Sequence, residues 1–391
     1  MLLSADRMVF GDQNTPPQDN WALLLKGGRI AAVGPLAELH RQYPSEPVVH
    51  HPEATILPGF IDMHIHLGVA GAANPHNIGD FEWALRAYAQ LSKAFAVGVT
   101  TVRCVASKDG LGVALRTAGE AGLLQLPRLF TVNQGICMTG GHAHDSHGNA
   151  VECDGEWEIR KAIRQNFREG ADWIKILTSR GKRGQEFTQE ELNAAVDECH
   201  RMGRLCAAHA GYQPSVSMCI KAGFDTIEHG TFMTVEEAHI MREKGQTWVP
   251  TIMAFTYISD QIKAGQSYSR IPGSDEYFHL AAEQYAQNFK ALYDTGVRTA
   301  CGTDMVMWGA PAFPVAQELA YKVKYGITPL QAIETATKNG AEALRLGEQL
   351  GQLAPGYIAD VQVVAGDPSA DIADLLNVIE VYQEGELRYR R

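Results

Sequence analysis

The 391-residue chain reads as an α/β protein, a (β/α)8 TIM barrel with a small β-sandwich domain built from both termini. Three observations predict this. Apolar strand-like segments alternate with amphipathic helical ones through the middle of the chain, short strands joined by tight turns occupy both ends, and histidines close several of the central strands.

At the N-terminus, Trp21–Lys26 (WALLLK) and Arg29–Val33 (RIAAV) flank a Gly-Gly turn, with no convincing helix before Ala37. The C-terminus resumes this style in Ala359–Val364, Val378–Gln383 and Leu387–Arg390, joined at Asp367-Pro368 and Glu384-Gly385. Residues 1–57 plus 352–391 are therefore expected to form the sandwich, and 58–351 the barrel. Barrel strands are expected at about 59–66, 99–105, 128–133, 173–178, 204–209, 225–229, 247–252 and 297–303. Helices are expected over Asp80–Ala96, Glu156–Arg168, Thr188–Met202, Val235–Lys244 and Asp275–Asp294. Thr188 and Thr234 occupy N-cap positions, each with an acidic residue three places on. No G-x-G-x-x-G follows the first strand, which weakens an open doubly wound sheet.

Composition excludes several classes. The chain is 45% hydrophobic and 20% charged with a net charge of −11, and its Lys and Arg are scattered, which disfavours nucleic acid and anionic membrane as partners. Seven cysteines without a C-x-x-C suggest neither a disulfide framework nor a thiolate zinc site, and point to reduced thiols. No signal-like or membrane-length apolar run appears, so a cytoplasmic location is expected. No heptad or interface stripe decides the oligomeric state, and a homo-oligomer stays open.

The chemistry-bearing residues gather at predicted strand ends. His64 and His66 lie two apart at the end of strand one, so both imidazoles share a face. His209 closes strand five, His229 strand six and Asp304 strand eight. In a (β/α)8 barrel these ends converge on one mouth, where active sites lie. Nitrogen and carboxylate donors without thiolate suit zinc, with manganese, iron or cobalt as alternatives. Lys175 interrupts the apolar run Asp172–Leu177 (DWIKIL) on strand four. Burial would depress its pKa and leave a neutral amine able to react with carbon dioxide, giving a carbamate that bridges two cations. The competing reading is a lysine snorkelling to solvent.

These residues resemble the amidohydrolase superfamily over nearly the whole chain. Leu57–His66 (LPGFIDMHIH) resembles its strand-one signature, and DWIKIL, AAHA, TIEHG and CGTD follow in the family's order. Thr328–Leu346 and Leu353–Val361 resemble its C-terminal helix and the return to the β module. The nearest resemblance is to the branch of prolidase-like and Xaa-Arg/Lys dipeptidases, ochratoxin amidases and phenylurea hydrolases, and more loosely to imidazolonepropionase. It implies two zinc ions, with His64, His66 and Asp304 on one, His209 and His229 on the other, and carboxylated Lys175 bridging both. It also implies hydrolysis of an amide, carbamate or urea C–N bond of a small molecule by a metal-bridging hydroxide, with Asp304 moving the proton.

His142 lies on the Gly-rich stretch Met138–His144 (MTGGHAH), which resembles the branch's TGGH motif and implies contact with the substrate's carbonyl or carboxylate. His144 and His147 are read as solvated. Tyr212 is a candidate substrate donor, although it stands three residues after His209 where the dipeptidases place a tyrosine two after. In Ser179–Gly184 (SRGKRG), Arg180 is a candidate for gripping a substrate carboxylate. Met305–Phe313 (MVMWGAPAF) is a candidate apolar pocket. The alternatives are a mononuclear deaminase or cyclic-imide (imidazolonepropionase-like) hydrolase, in which Lys175 is uninvolved, and a non-catalytic scaffold, against which the full set of candidate ligands argues.

Overall fold

A computed structural model describes residues 1–68, 79–144, 148–179, 185–265, 274–304 and 312–391. Contacts divide the chain into two compact units, one of residues 1–62, 92–101 and 313–391, the other of residues 63–91 and 102–312.

In the first unit, strands from both termini join in one eight-stranded sheet. Its order is Glu386–Arg390, Val378–Gln383, Val361–Ala365, Val48–Pro58, Leu2–Met8, Trp21–Lys26 and Arg29–Pro35, with Gln18–Asp19 beside Leu2–Met8. Every described pairing is antiparallel except Leu2–Met8 with Val48–Pro58. Strand alternation splits the apolar residues between faces: Leu3, Ala5, Leu23, Ile56, Val361 and Val363 share one core, and Leu2, Ala22 and Leu24 share another with Leu39.

The barrel strands run Phe60–Ile65, Val99–Cys104, Arg128–Thr131, Trp173–Leu177, Leu205–Ala210, Thr226–His229, Thr247–Val249 and Arg298–Thr299. The first three are neighbours, and the last five are parallel neighbours in chain order. The Asp172 N–H donates to the Thr131 carbonyl at 2.7 Å, linking strands three and four, and the Met63 N–H donates to Cys301 at 2.9 Å, linking strands one and eight. With that the circuit of a TIM barrel closes, its inner positions filled by side chains.

Thr188 and Thr234 each cap a helix through a complete capping box, with Glu191 and Glu237 returning the bond. Several elements differ from expectation. Asp80–Ala96 is a helix only to Leu91, followed by a 3-10 turn at Phe95–Val97 that ends on Gly98 at φ 81°. The expected strand over 247–252 stops at Val249, and Ile252–Lys263 is a helix whose apolar run Ile-Met-Ala-Phe carries no sequence cap. Two short strands, Gly135–Cys137 and Ala150–Glu152, join the barrel sheet beside Trp173–Leu177. They are too short for an alternation pattern to register.

Candidate active site and metal centre

One cavity of about 310 Å³ is lined by His64, His66, His142, Lys175, His209, Tyr212, His229 and Asp304. The elements explain the convergence. Alternation aims His64 and His66 the same way from the end of strand one, with ring centroids 5.3 Å apart. Register places Leu177 beside His209 and His209 beside Glu228, so the strand ends are level. Glu228 and His229 are adjacent in the chain, and simple alternation would send them to opposite faces. A left-handed φ of 68° at His229 ends the strand and turns its imidazole into the cavity. Asp304 (φ 47°) and Thr251 (φ 52°) share this strained region. Such strain collects at functional sites and is held there by the surrounding structure.

His64, His66 and Asp304 offer donor atoms within 4.8 Å of one another. Both Nε2 atoms stand 3.5 Å from the same Asp304 oxygen. His229 lies 5.0 Å from His64 and 4.5 Å from His209, centroid to centroid, and His142 stacks on His209 at 4.2 Å with the planes 17° apart. Three outer ring nitrogens are held: His64 Nδ1 by Glu228 Oε2 at 2.7 Å, His66 Nδ1 by the Ala106 carbonyl at 3.1 Å, and His229 Nδ1 by Thr251 Oγ1 at 2.7 Å. This orientation presents Nε2 of these rings on the side away from the Nδ1 partner, as a metal-binding imidazole requires. Burial, reinforced by Lys175, lowers the pKa of His66 to about 3 and drives His64, His209 and His229 well down, so all four are neutral donors.

Behind the imidazoles lies a fully buried charge network that the sequence reading did not find. Arg103 donates through Nη2 to Glu228 Oε1 at 2.6 Å, through Nε to the Met63 carbonyl at 2.7 Å and through Nη1 to Thr226 Oγ1 at 3.1 Å, while its guanidinium covers Trp173. Thr226 also donates to Glu228. Arg103 is a charge inside the apolar strand VTTVRC, the same signal that singled out Lys175.

Lys175 is 1% exposed, and its Nζ has no hydrogen-bond partner among the described residues. Burial pulls its pKa well below that of an ordinary lysine, with Glu228 and Asp304 opposing and Arg103 assisting. Burial pushes the Asp304 carboxyl up, opposed by Lys175. Gly302 permits the whole arrangement: a Cβ there would stand 2.5 Å from Val249 Cγ1 and 2.7 Å from His64 Cβ.

The structure brings seven of the candidate residues together with Tyr212, whose hydroxyl is buried and unpartnered. Arg180 lies outside the described residues, as do His147 and most of Met305–Phe313. His144 is held by the Gly141 carbonyl at 2.9 Å. Among the described residues, the apolar lining comes from Ala254, Phe255 and Ile258 on the unanticipated helix and from Tyr277 and Phe278 on Ser274–Tyr293. No described helix is long and apolar enough to cross a membrane.

Known proteins share this fold and sequence pattern. The chain is 31% identical to a Xaa-Pro dipeptidase solved with methionine in its active site, with a TM-score of 0.90 over 100% of this chain and 99% of the other. It is 28% identical to the ochratoxinase of Aspergillus niger over 95% of this chain and 82% of that one, and the crystal structure of that enzyme superposes with a TM-score of 0.88. Imidazolonepropionase of Cutibacterium acnes is 25% identical over 88% of this chain and 84% of its own length. Residues 22–45 match an imidazolonepropionase-like composite domain of bacteria, and residues 55–388 match the amidohydrolase family. A match running through every strand that supplies the cavity establishes that the chain belongs to the amidohydrolase family and is a hydrolase of carbon–nitrogen bonds.

Proposed function

We propose that the chain hydrolyses the amide, carbamate or urea bond of a small molecule, of dipeptide, N-acyl amino acid or aryl amide type, at a binuclear zinc centre. The observation that carries this reading is the Lys175 amine, buried without a hydrogen-bond partner among the described residues in a cavity that also holds four neutral imidazoles and a carboxylate. An unpaired buried ammonium is costly, whereas a carbamate formed on that nitrogen supplies two oxygens to an otherwise nitrogen-rich site. The donor set fits two cations: His64, His66 and Asp304 would hold one, His209 and His229 the other, and carboxylated Lys175 would serve both. Bound there, the cations would supply Lewis acidity and acidify a water to near neutrality.

The chain's own residues supply the rest. Asp304 takes the proton of the attacking water and hands it to the leaving nitrogen, as general base and then general acid. His142, stacked on His209, and the Tyr212 hydroxyl face the cavity and bind the substrate carbonyl. Burial on strands one, four, five, six and eight fixes these groups before substrate arrives, which is where positioning lowers the barrier. The same reading assigns residues 58–351 to the catalytic barrel and 1–57 with 352–391 to a β-sandwich.

Lys175→Ala tests the proposal. The variant is expected to bind fewer zinc equivalents than the parent by elemental analysis and to lose at least about a hundredfold in kcat/KM. Unchanged metal content and activity would leave a mononuclear hydrolase in its place.

A further inference from the structure

The cavity has two unlike walls. One carries the imidazoles, Lys175 and Asp304; the other is built by the helices Ile252–Lys263 and Ser274–Tyr293, which pack together and present Ala254, Phe255, Ile258 and Phe278. Phe255 meets the edge of His229 at 5.4 Å between centroids, and Phe278 stands 6.2 Å from Phe255. The apolar wall therefore begins directly beside a candidate metal-binding imidazole.

Asn149 also lines the cavity. It precedes the strand Ala150–Glu152, and its carbonyl accepts the Gly135 N–H at 2.8 Å, which fixes its backbone. Its side chain lines the cavity, the residue is only 7% exposed, and Oδ1 has no partner among the described residues. A buried acceptor left unpaired costs about 1–3 kcal/mol, which a donor on a ligand in the adjoining cavity would recover.

We propose that the site selects amides bearing a bulky apolar group of aromatic size together with an N–H. The apolar group lies against Phe255, Ile258 and Phe278, and the N–H donates to Asn149 Oδ1. This rests on the amide-hydrolase reading for the identity of the ligand, while the two-walled cavity is independent of turnover.

Binding measured by titration calorimetry on the full chain separates this proposal from catalysis. The probes are N-benzylacetamide, N-ethylacetamide and N-benzyl-N-methylacetamide, with heat from hydrolysis recorded separately. The parent is expected to bind N-benzylacetamide about tenfold or more tighter than N-ethylacetamide. Ile258→Trp, or the smaller intrusion Ile258→Phe if the first variant is unfolded, should abolish that preference. Asn149→Ala should weaken N-benzylacetamide about fivefold to tenfold and leave the N-methyl probe unchanged. Equal affinity for the benzyl and ethyl probes, or a loss on Asn149→Ala that is the same with and without the N–H, overturns the proposal. Selective binding without hydrolysis of any amide by the zinc-loaded chain would instead overturn the functional reading and leave this one standing.

Discussion

Glu228 links the buried charges of the barrel to the candidate metal centre, one oxygen on His64 Nδ1 at 2.7 Å and the other on Arg103 at 2.6 Å. Glu228→Gln keeps the volume but replaces a charge-assisted acceptor with a neutral amide, and leaves the Arg103 guanidinium without its counter-charge. The variant is expected to bind zinc about tenfold to a hundredfold more weakly in competition with a graded chelator, with activity recovering as zinc is added back. Parental zinc affinity would show that Glu228 only balances Arg103. The same contacts show what could be read at this scale. His64, His66, His209, His229 and Asp304 stand out because each is a polar residue closing an apolar segment, and Lys175 because it interrupts one; the strand ends of a barrel meet. Arg103 offered the same signal in VTTVRC, but without a neighbouring motif a lone arginine has no direction. Asn149 offered none, because its burial depends on two three-residue strands that the sequence does not announce.

Helices Gly155–Arg168 and Gln189–Arg201 are tied by Glu198, whose carboxylate accepts from Arg164 at 2.6 Å, Arg201 at 2.5 Å and Arg160 at 3.0 Å. The hydrogen bond from Arg164, with those from Arg201 and Arg160, holds the Glu198 carboxyl down at about 2 against the opposing effect of burial. Because the folded value is depressed, the clamp stabilises fully above the ordinary glutamate range and is lost as pH falls toward 2. Two of the three arginines are more than half exposed, so solvent screening limits the contribution to roughly 1–2 kcal/mol. Glu198→Gln should therefore lower the melting temperature at pH 7, with the gap to the parent closing as both are acidified. A gap of constant size down to pH 3 would mean that packing, and not charge, holds the two helices. Element boundaries were legible where a chemical marker fixed them, as the capping boxes at Thr188 and Thr234 did. Ile252–Lys263 was not, since its first turn is apolar on every side and begins at Thr251 in a left-handed conformation that no residue preference announces.

At the scale of the molecule, the alternation of strands and helices foretold the barrel, while the turn-rich strands at both ends, expected to form a β-sandwich, share one eight-stranded sheet. What the pattern could not state is how the barrel is closed. Strand eight is reduced to Arg298–Thr299, and its junction with strand one rests on the bonds from Met63 N–H to Cys301 and from Asp304 N–H to His64, at 2.9 and 2.7 Å. His64, His66 and Asp304 face each other across that same seam. A cation held by the three would cross-link the first and last strands, and a second held by His209 and His229 would extend the tie to strands five and six. Binding to the folded chain alone adds about 4 kcal/mol when the ligand is a thousandfold above its dissociation constant. For a protein of this size, that corresponds to a rise of about 5–10 °C in melting temperature. Chelator treatment should lower the melting temperature by that amount, and added zinc should restore it in proportion to its concentration. Lys175→Ala should show a smaller response and Asp304→Ala the smallest, because Asp304 alone among the donors spans the closing seam. A melting temperature indifferent to chelator and to added zinc would mean that the seam is closed by its backbone bonds and by Gly302 packing alone.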